Sequence, residues 1–303
     1  MRPRDIFFGP EKLRALWRVL LFLALAAAAI GVLSALMTLV VPSRLGDAWA
    51  LGLTSLVMTA GLLIASAIMM RWVEHRRFAA LGLPLGKEMW RGWLRGAAIG
   101  GAFMVLVVAA QTVIGWLRPA PDAGSLAGWL EMMGMLALLF AIAAAAEELL
   151  LRGYAFQVLV EGMGVKLTVI VTSALFALAH LGNPNIDLVA LVNIGLAGVA
   201  MAGAYLRTRS LWTAIGLHWA WNWVMAAVFD LPVSGIDFDV PGYDTLELGP
   251  DRFTGGVFGP EGGIVVTLLV LPFIVWVFRT PWLVESKRMA ELRPLVDVSR
   301  NVP

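Results

Sequence analysis

Met135-Leu-Ala-Leu-Leu-Phe-Ala-Ile-Ala-Ala-Ala-Ala-Glu147-Glu148-Leu-Leu-Leu-Arg152 is the stretch on which the reading of this chain turns. An unbroken apolar run, long enough for three helical turns, ends in two adjacent carboxylates and, four residues later, an arginine. An ionised side chain at the centre of a bilayer costs roughly 3 kcal/mol on insertion scales, so carboxylates that close such a run mark a functional site by default. Glu148 and Arg152 share a helical face and can pair. Glu147 points about 100° away and needs another partner. The two glutamates are therefore expected to do different work.

Composition extends this reading to the whole chain. Hydrophobic residues make up 60% of the 303 residues and charged residues 15%, with a mean hydropathy of +0.82. These values belong to a polytopic membrane protein. Apolar segments of spanning length fall at about 16–41, 49–70, 97–117, 127–151, 167–181, 188–206, 211–229 and 263–278. The expected fold class is an all-α membrane helix bundle of about eight transmembrane helices. The first segment follows Arg2, Arg4, Lys12, Arg14 and Arg18, and is too long for a signal-peptide core of about 7–15 residues, so it reads as a retained helix. With the N-terminus in the cytoplasm, nearly all basic residues fall inside, and Arg44, Arg118 and Arg252 fall outside, which puts both termini in the cytoplasm. Cysteine is absent, which removes disulfides, thiolate metal sites and cysteine nucleophiles. The net charge of +2 gives no indication of a nucleic-acid partner.

The expected organisation is a single integral membrane domain over 1–303, with a core at 127–229, an acidic extracytoplasmic loop at 230–262 and a cytoplasmic tail at 280–303. The connection 71–95 interleaves Trp72, Trp90 and Trp93 with basic residues, as expected of a segment in the headgroup layer against anionic lipid. Residues 230–262 are rich in Gly, Pro and acidic side chains and read as a solvated outer loop, with a lid as the alternative. Ala143 to Ala146 and Gly195, Gly198, Ala202 and Gly203 are small residues that permit close helix packing.

The three histidines supply the remaining chemistry. His75 sits among arginines and reads as an interfacial residue. His180 shares a helical face with Phe176, and His218 shares one with Asn222. If the chain turns near 161–166, Glu147 and His180 lie at equal distances from the turn, and antiparallel helices set them level. Simple topology puts His218 near the inner face and His180 near the outer end of its span, and either a break at Gly153, with 154–160 along the interface, or a tilted short fifth helix would bring them to one depth. A lone histidine on an apolar helix is usually a packing residue, but two of them beside a Glu-Glu-x-x-x-Arg box point to a shared site.

Glu147-Glu148-Leu-Leu-Leu-Arg152, Phe176-Ala-Leu-Ala-His180 and His218-Trp-Ala-Trp-Asn222 resemble, in order, the EExxxR, FxxxH and HxxxN motifs of the CPBP family. That family unites type II CAAX prenyl endopeptidases with bacteriocin-processing and self-immunity membrane proteins. The resemblance implies an intramembrane endopeptidase acting on a membrane-associated or lipidated peptide. Glu147 and His180 would activate water, His218 and Asn222 would hold the oxyanion, and Glu148 and Arg152 would orient these groups. It leaves open a zinc enzyme in which Glu147, His180 and His218 are the three protein ligands. The other readings are a non-proteolytic immunity or scaffold protein and a proton-coupled transporter. The implied partners are a peptide or protein substrate and the lipid bilayer, and the implied location is the bacterial cytoplasmic membrane.

Overall fold

The computed structural model of the protein describes residues 13–40 and 47–292. Arg2, Arg4, Lys12, Arg44, Arg293 and Arg300, which entered the orientation argument, lie outside the described residues, as does the end of the tail at 280–303. Ten α-helices are present among the described residues. They are α1 (Ala15–Val40), α2 (Asp47–Ile68), α3 (Lys87–Ile114), α4 (Leu126–Arg152), α5 (Tyr154–Ala179), α6 (Leu188–Thr208), α7 (Leu211–Trp223), α8 (Asp251–Thr254), α9 (Ile264–Arg279) and α10 (Lys287–Glu291).

Among the described residues, five helical runs are long and apolar enough to cross a membrane: Ala15–Val40, Trp49–Val73, Lys87–Ile114, Leu126–Ala179 and Leu188–Thr208. The fourth contains two of the expected segments, because α4 and α5 follow one another with only Gly153 between them. The expected segments at 211–229 and 263–278 correspond to helices of 13 and 16 residues, α7 being prolonged by the π-turn Val224–Val228. One start differs from the hydropathy reading: α3 begins at Lys87, so Lys87, Arg91 and Arg95 are helical, whereas the second part of α5, after non-helical Gly164, begins close to the expected segment at 167–181. Hydropathy misses these turns because basic and polar residues do not interrupt backbone hydrogen bonding.

Local sequence explains the ends that matter for the site. Ser125 caps α4 by accepting from the Gly128 amide at 3.1 Å, and Asp187 caps α6 by accepting from Ala190 at 2.8 Å. Gly153 breaks the chain after α4 at ψ −134°, where a Cβ would lie 2.2 Å from the Leu149 carbonyl oxygen. The expected break is therefore present. A second kink lies at Gly164, with φ 81°, inside the segment where the turn was expected.

The most extensive helix contact in the fold joins α3 to α7. It is made by glycines: a Cβ at Gly96 would meet the Thr213 carbonyl oxygen at 2.0 Å, one at Gly100 the Leu217 oxygen at 2.1 Å, and one at Gly216 the Trp93 oxygen at 2.2 Å. Without hydrophobic pressure inside a bilayer, such backbone contact is how helices gain dispersion energy. α3 thus fixes the position of the helix that carries His218 and Asn222.

Outside the helices, Leu117–Pro121 (β1) pairs antiparallel with Tyr243–Glu247 (β2), a ribbon not foreseen in an all-α bundle. It anchors the connection 230–262, which is not a simple solvated loop: Leu231, Val233 and Val240 are buried, and Glu261 is 7% exposed. Arg18, counted among the basic residues at the start of the first segment, is not a solvated charge. It is fully buried and paired with Glu74 at 2.8 Å and Glu161 at 2.7 Å, and Tyr154 donates to the same Glu74 oxygen at 2.7 Å.

Candidate active site

α4 delivers the two glutamates to different environments, as the helical angle between them requires. The Glu148 side chain is 0% exposed and that of Glu147 is 34% exposed. Glu148 Oε1 accepts from Arg152 Nη1 at 3.0 Å and lies 3.1 Å from His218 Nδ1. Arg152 Nη2 donates to the Gly198 carbonyl at 2.9 Å, and its guanidinium carbon stands 4.9 Å from the centre of the Phe176 ring. Arg152 supplies the compensating charge that a buried carboxylate requires.

With Glu148 held as a carboxylate by Arg152, the only hydrogen available to the 3.1 Å contact is the one on His218 Nδ1. His218 Nε2 is thereby aimed away from Glu148, and it lies 3.8 Å from Glu147 Oε2. That separation is an ion-pair distance rather than a hydrogen bond. Glu147 Oε2 makes no hydrogen bond to the described residues. His180 stands at the C-cap of α5 with Nδ1 2.8 Å from the Phe176 carbonyl. A carbonyl only accepts, so Nδ1 carries the proton and Nε2 of the neutral ring holds the lone pair. Phe176 sits between the histidines, edge-on to both rings at 4.8 and 5.8 Å.

Glu147, Phe176, His180, His218 and Asn222 all line one cavity of about 300 Å³. Its other walls are largely apolar, from Leu51 and Met58 on α2, Phe140 and Leu151 on α4, and Met201 on α6. Glu148 and Arg152 stand behind this wall and do not line it. Four of the six sequence-derived site residues therefore face a shared space, and the other two support them from within the protein.

The zinc reading fares differently. Among the described residues, no group of three His, Cys, Asp or Glu side chains is arranged to hold a metal ion. Glu147, His180 and His218 share the cavity, but as placed they are not gathered as a three-ligand set. The three side chains have the donor types of a zinc site without its arrangement.

Several cavity residues were not singled out from the sequence: Asn183, Val233, Ser234, Ile236, Phe238 and Glu261. Asn183 follows His180 by three residues, a spacing that was available as a signal. Glu261 was one of seven acidic residues in the connection 230–262, with nothing in the sequence to separate it from the others. Trp219 and Trp221, the sequence neighbours of His218 and Asn222, do not line the cavity. The Trp219 indole donates to the Ala137 carbonyl at 2.8 Å, and Trp221 stacks on Phe103 at 4.6 Å. Gly198 had a reading as ordinary packing. It also accepts from Arg152, and a Cβ there would lie 3.2 Å from Arg152, Phe176 and Ser173 atoms.

A family model described as type II CAAX prenyl endopeptidase Rce1-like matches residues 129–224. The matched segment runs from α4 to the start of the π-turn after α7 and contains all seven motif residues. No curated protein and no solved structure matches the chain.

Proposed function

Taking the type II CAAX endopeptidase match over residues 129–224 as premise, we propose that this integral membrane protein is an intramembrane endopeptidase using metal-free, carboxylate-activated water. The observation that carries this reading is the convergence of Glu147, His180, His218 and Asn222, from three separate helices, on one largely apolar cavity. Peptide hydrolysis needs a base for water, donors for the oxyanion and an acid for the leaving amine. The available atoms supply each of these.

Glu147 is the only motif carboxylate on the cavity, and its Oε2 is uncommitted. It takes a proton from a water that His180 Nε2 also holds, and the resulting hydroxide attacks the scissile carbonyl carbon. The oxygen that gains charge accepts from the Asn222 amide and from His218, which as an imidazolium donates Nε2–H here while its Nδ1–H stays on Glu148. Glu147 then passes its proton to the amide nitrogen as the C–N bond breaks. Glu148 keeps the His218 ring oriented through Nδ1, as a carboxylate orients histidine in other hydrolytic sites. Arg152 pairs with Glu148 and fixes its position.

The apolar cavity walls favour a peptide with hydrophobic side chains around the cut. The wider reading has eight spans, both termini in the cytoplasm and a bacterial cytoplasmic membrane as the location, on the strength of the one-sided distribution of basic residues. The test is comparative membrane proteomics of cells expressing the wild type or Glu147→Gln. Peptide ends that vanish in the variant support the reading, and identical ends throughout reject it in favour of an immunity or scaffold role.

A further inference from the structure

Glu261 lies in none of the three motifs and outside the segment matched by the family model, yet it is a buried carboxylate on the cavity wall. Its Oε1 accepts from the Trp221 indole at 2.9 Å. Its Oε2 accepts from the Ser234 amide at 3.0 Å and from the Ser234 hydroxyl at 2.6 Å. The Glu261 backbone carbonyl accepts from the Asn193 side chain of α6 at 2.8 Å. One residue thus ties α6, α7 and the connection 230–262 together.

The chain of contacts continues to the other side of the cavity. The Ser234 carbonyl accepts from the Asn183 side chain at 3.0 Å, and the Asn183 amide donates to the His180 carbonyl at 2.9 Å. A Cβ at Gly235 would lie 2.1 Å from the Pro184 carbonyl oxygen, so the two backbones are in direct contact. Ser234 itself has φ 50°, a left-handed conformation that a serine adopts only when its surroundings hold it there. Trp221 lies between His218 and Asn222 in sequence, and Asn183 is three residues past His180.

We propose that Glu261 is a positioning residue, the centre of a strap Trp221–Glu261–Ser234–Asn183 that crosses the cavity and holds the His218 and His180 elements at a fixed separation. Val233, Ser234, Ile236 and Phe238, which the strap holds down, form the cavity wall on that side. The inference builds on the proteolytic reading, because positioning matters for two histidines that act on one peptide bond. An error of about 1 Å in such a geometry can lower a rate on the order of a hundredfold.

The chain has only three histidines, so the strap can be read without any assay of cleavage. The protein, labelled with ¹⁵N-histidine and held in nanodiscs, is compared by NMR with Glu261→Gln, Ser234→Ala and Asp239→Asn. A glutamine cannot accept from both Trp221 and the Ser234 amide. Glu261→Gln should therefore move the ring-nitrogen signals of His180 and His218 and leave those of His75 in place. Ser234→Ala should move the same signals less, and Asp239→Asn, on an exposed part of the same connection, should move none.

Unmoved His180 signals in Glu261→Gln overturn the strap, even where His218 shifts. If all three histidines move, that variant has lost its fold, and Ser234→Ala decides by the same criterion. Where the wild type cleaves an apolar peptide, Glu261→Gln should lower kcat about tenfold with KM within about twofold, and an unchanged kcat overturns the positioning role. A wild type that cleaves nothing removes the proteolytic reading, and the histidine signals still decide the strap.

Discussion

Arg152→Met should destabilise the protein far more than its lost contacts alone suggest, and Glu148→Gln in the same chain should restore part of the loss. Arg152 and Glu148 both have side chains with no exposure, and their 3.0 Å pair supplies the balancing charge for that carboxylate. Methionine nearly preserves the volume of the arginine stem, so the cavity contribution is small. What remains is a carboxylate in the protein interior with His218 Nδ1 as its one partner, and a Gly198 carbonyl without its donor.

Removing one member of a buried pair costs about 3–5 kcal/mol, and an orphaned carbonyl costs about 1–3 kcal/mol. The two overlap, so the single variant should lose about 4–5 kcal/mol. Glutamine at 148 removes the stranded charge while keeping an oxygen for His218, and the double variant should regain about 2 kcal/mol. The coupling has a sign that simple loss of packing does not produce. Unfolding free energies from denaturant titration of the four proteins in one detergent, closed as a double-mutant cycle, provide the measurement. A loss under about 1 kcal/mol for Arg152→Met, or a double variant as unstable as the two singles added together, refutes the reasoning that charge compensation sustains Glu148.

Glu147→Gln and His180→Ala should each lower peptide cleavage by about 10²–10⁴-fold while melting temperature stays near that of the wild type, since the first is partly exposed and the second spends only one hydrogen bond on its own helix. Asn222→Ala should cost about 10²–10³-fold in kcat if its amide serves the oxyanion, measured on the same peptide. Cleavage should persist after exhaustive chelation, because the residues around the cavity do not assemble a ligand set; activity restored only by added metal would contradict this. Gly96→Val should fail to fold or lose α3–α7 packing, seen as loss of monodisperse protein on size exclusion, because even a Cβ would lie 2.0 Å from the Thr213 carbonyl oxygen. Burial pushes Asp230 up to about 6, against the Val240 amide that favours its charged form, with the carboxylates of Asp237, Asp244 and Asp239 adding to the rise. A raised carboxyl contributes stability that is complete below about pH 4 and fades as pH rises through about 6. Asp230→Asn should flatten that slope in melting curves taken from pH 4 to 8.

The candidate site was legible in the chain where it rests on local spacing. A four-residue interval puts Glu148 and Arg152 on one face whatever the rest of the protein does, and the adjacent Glu147 must then point elsewhere. Apolar runs likewise declare helices and membrane residence from composition alone. Their ends were less legible: α3 extends past its apolar run to Lys87, because helix formation does not stop where hydropathy falls.

Long-range geometry belonged to the tertiary structure. That Glu148 bonds His218, seventy residues away, depends on α7 being pressed against α3 through Gly96, Gly100 and Gly216, and no window of sequence contains both sides of that contact. The same is true of Glu261, indistinguishable in sequence from its acidic neighbours. It became a candidate only when folding enclosed it with Trp221 and Ser234. Residue type and spacing set which side chains can do chemistry, since those follow from covalent structure and helical pitch. Which of them face one cavity, and which stand behind it to fix charge and orientation, depends on packing between segments far apart in the chain.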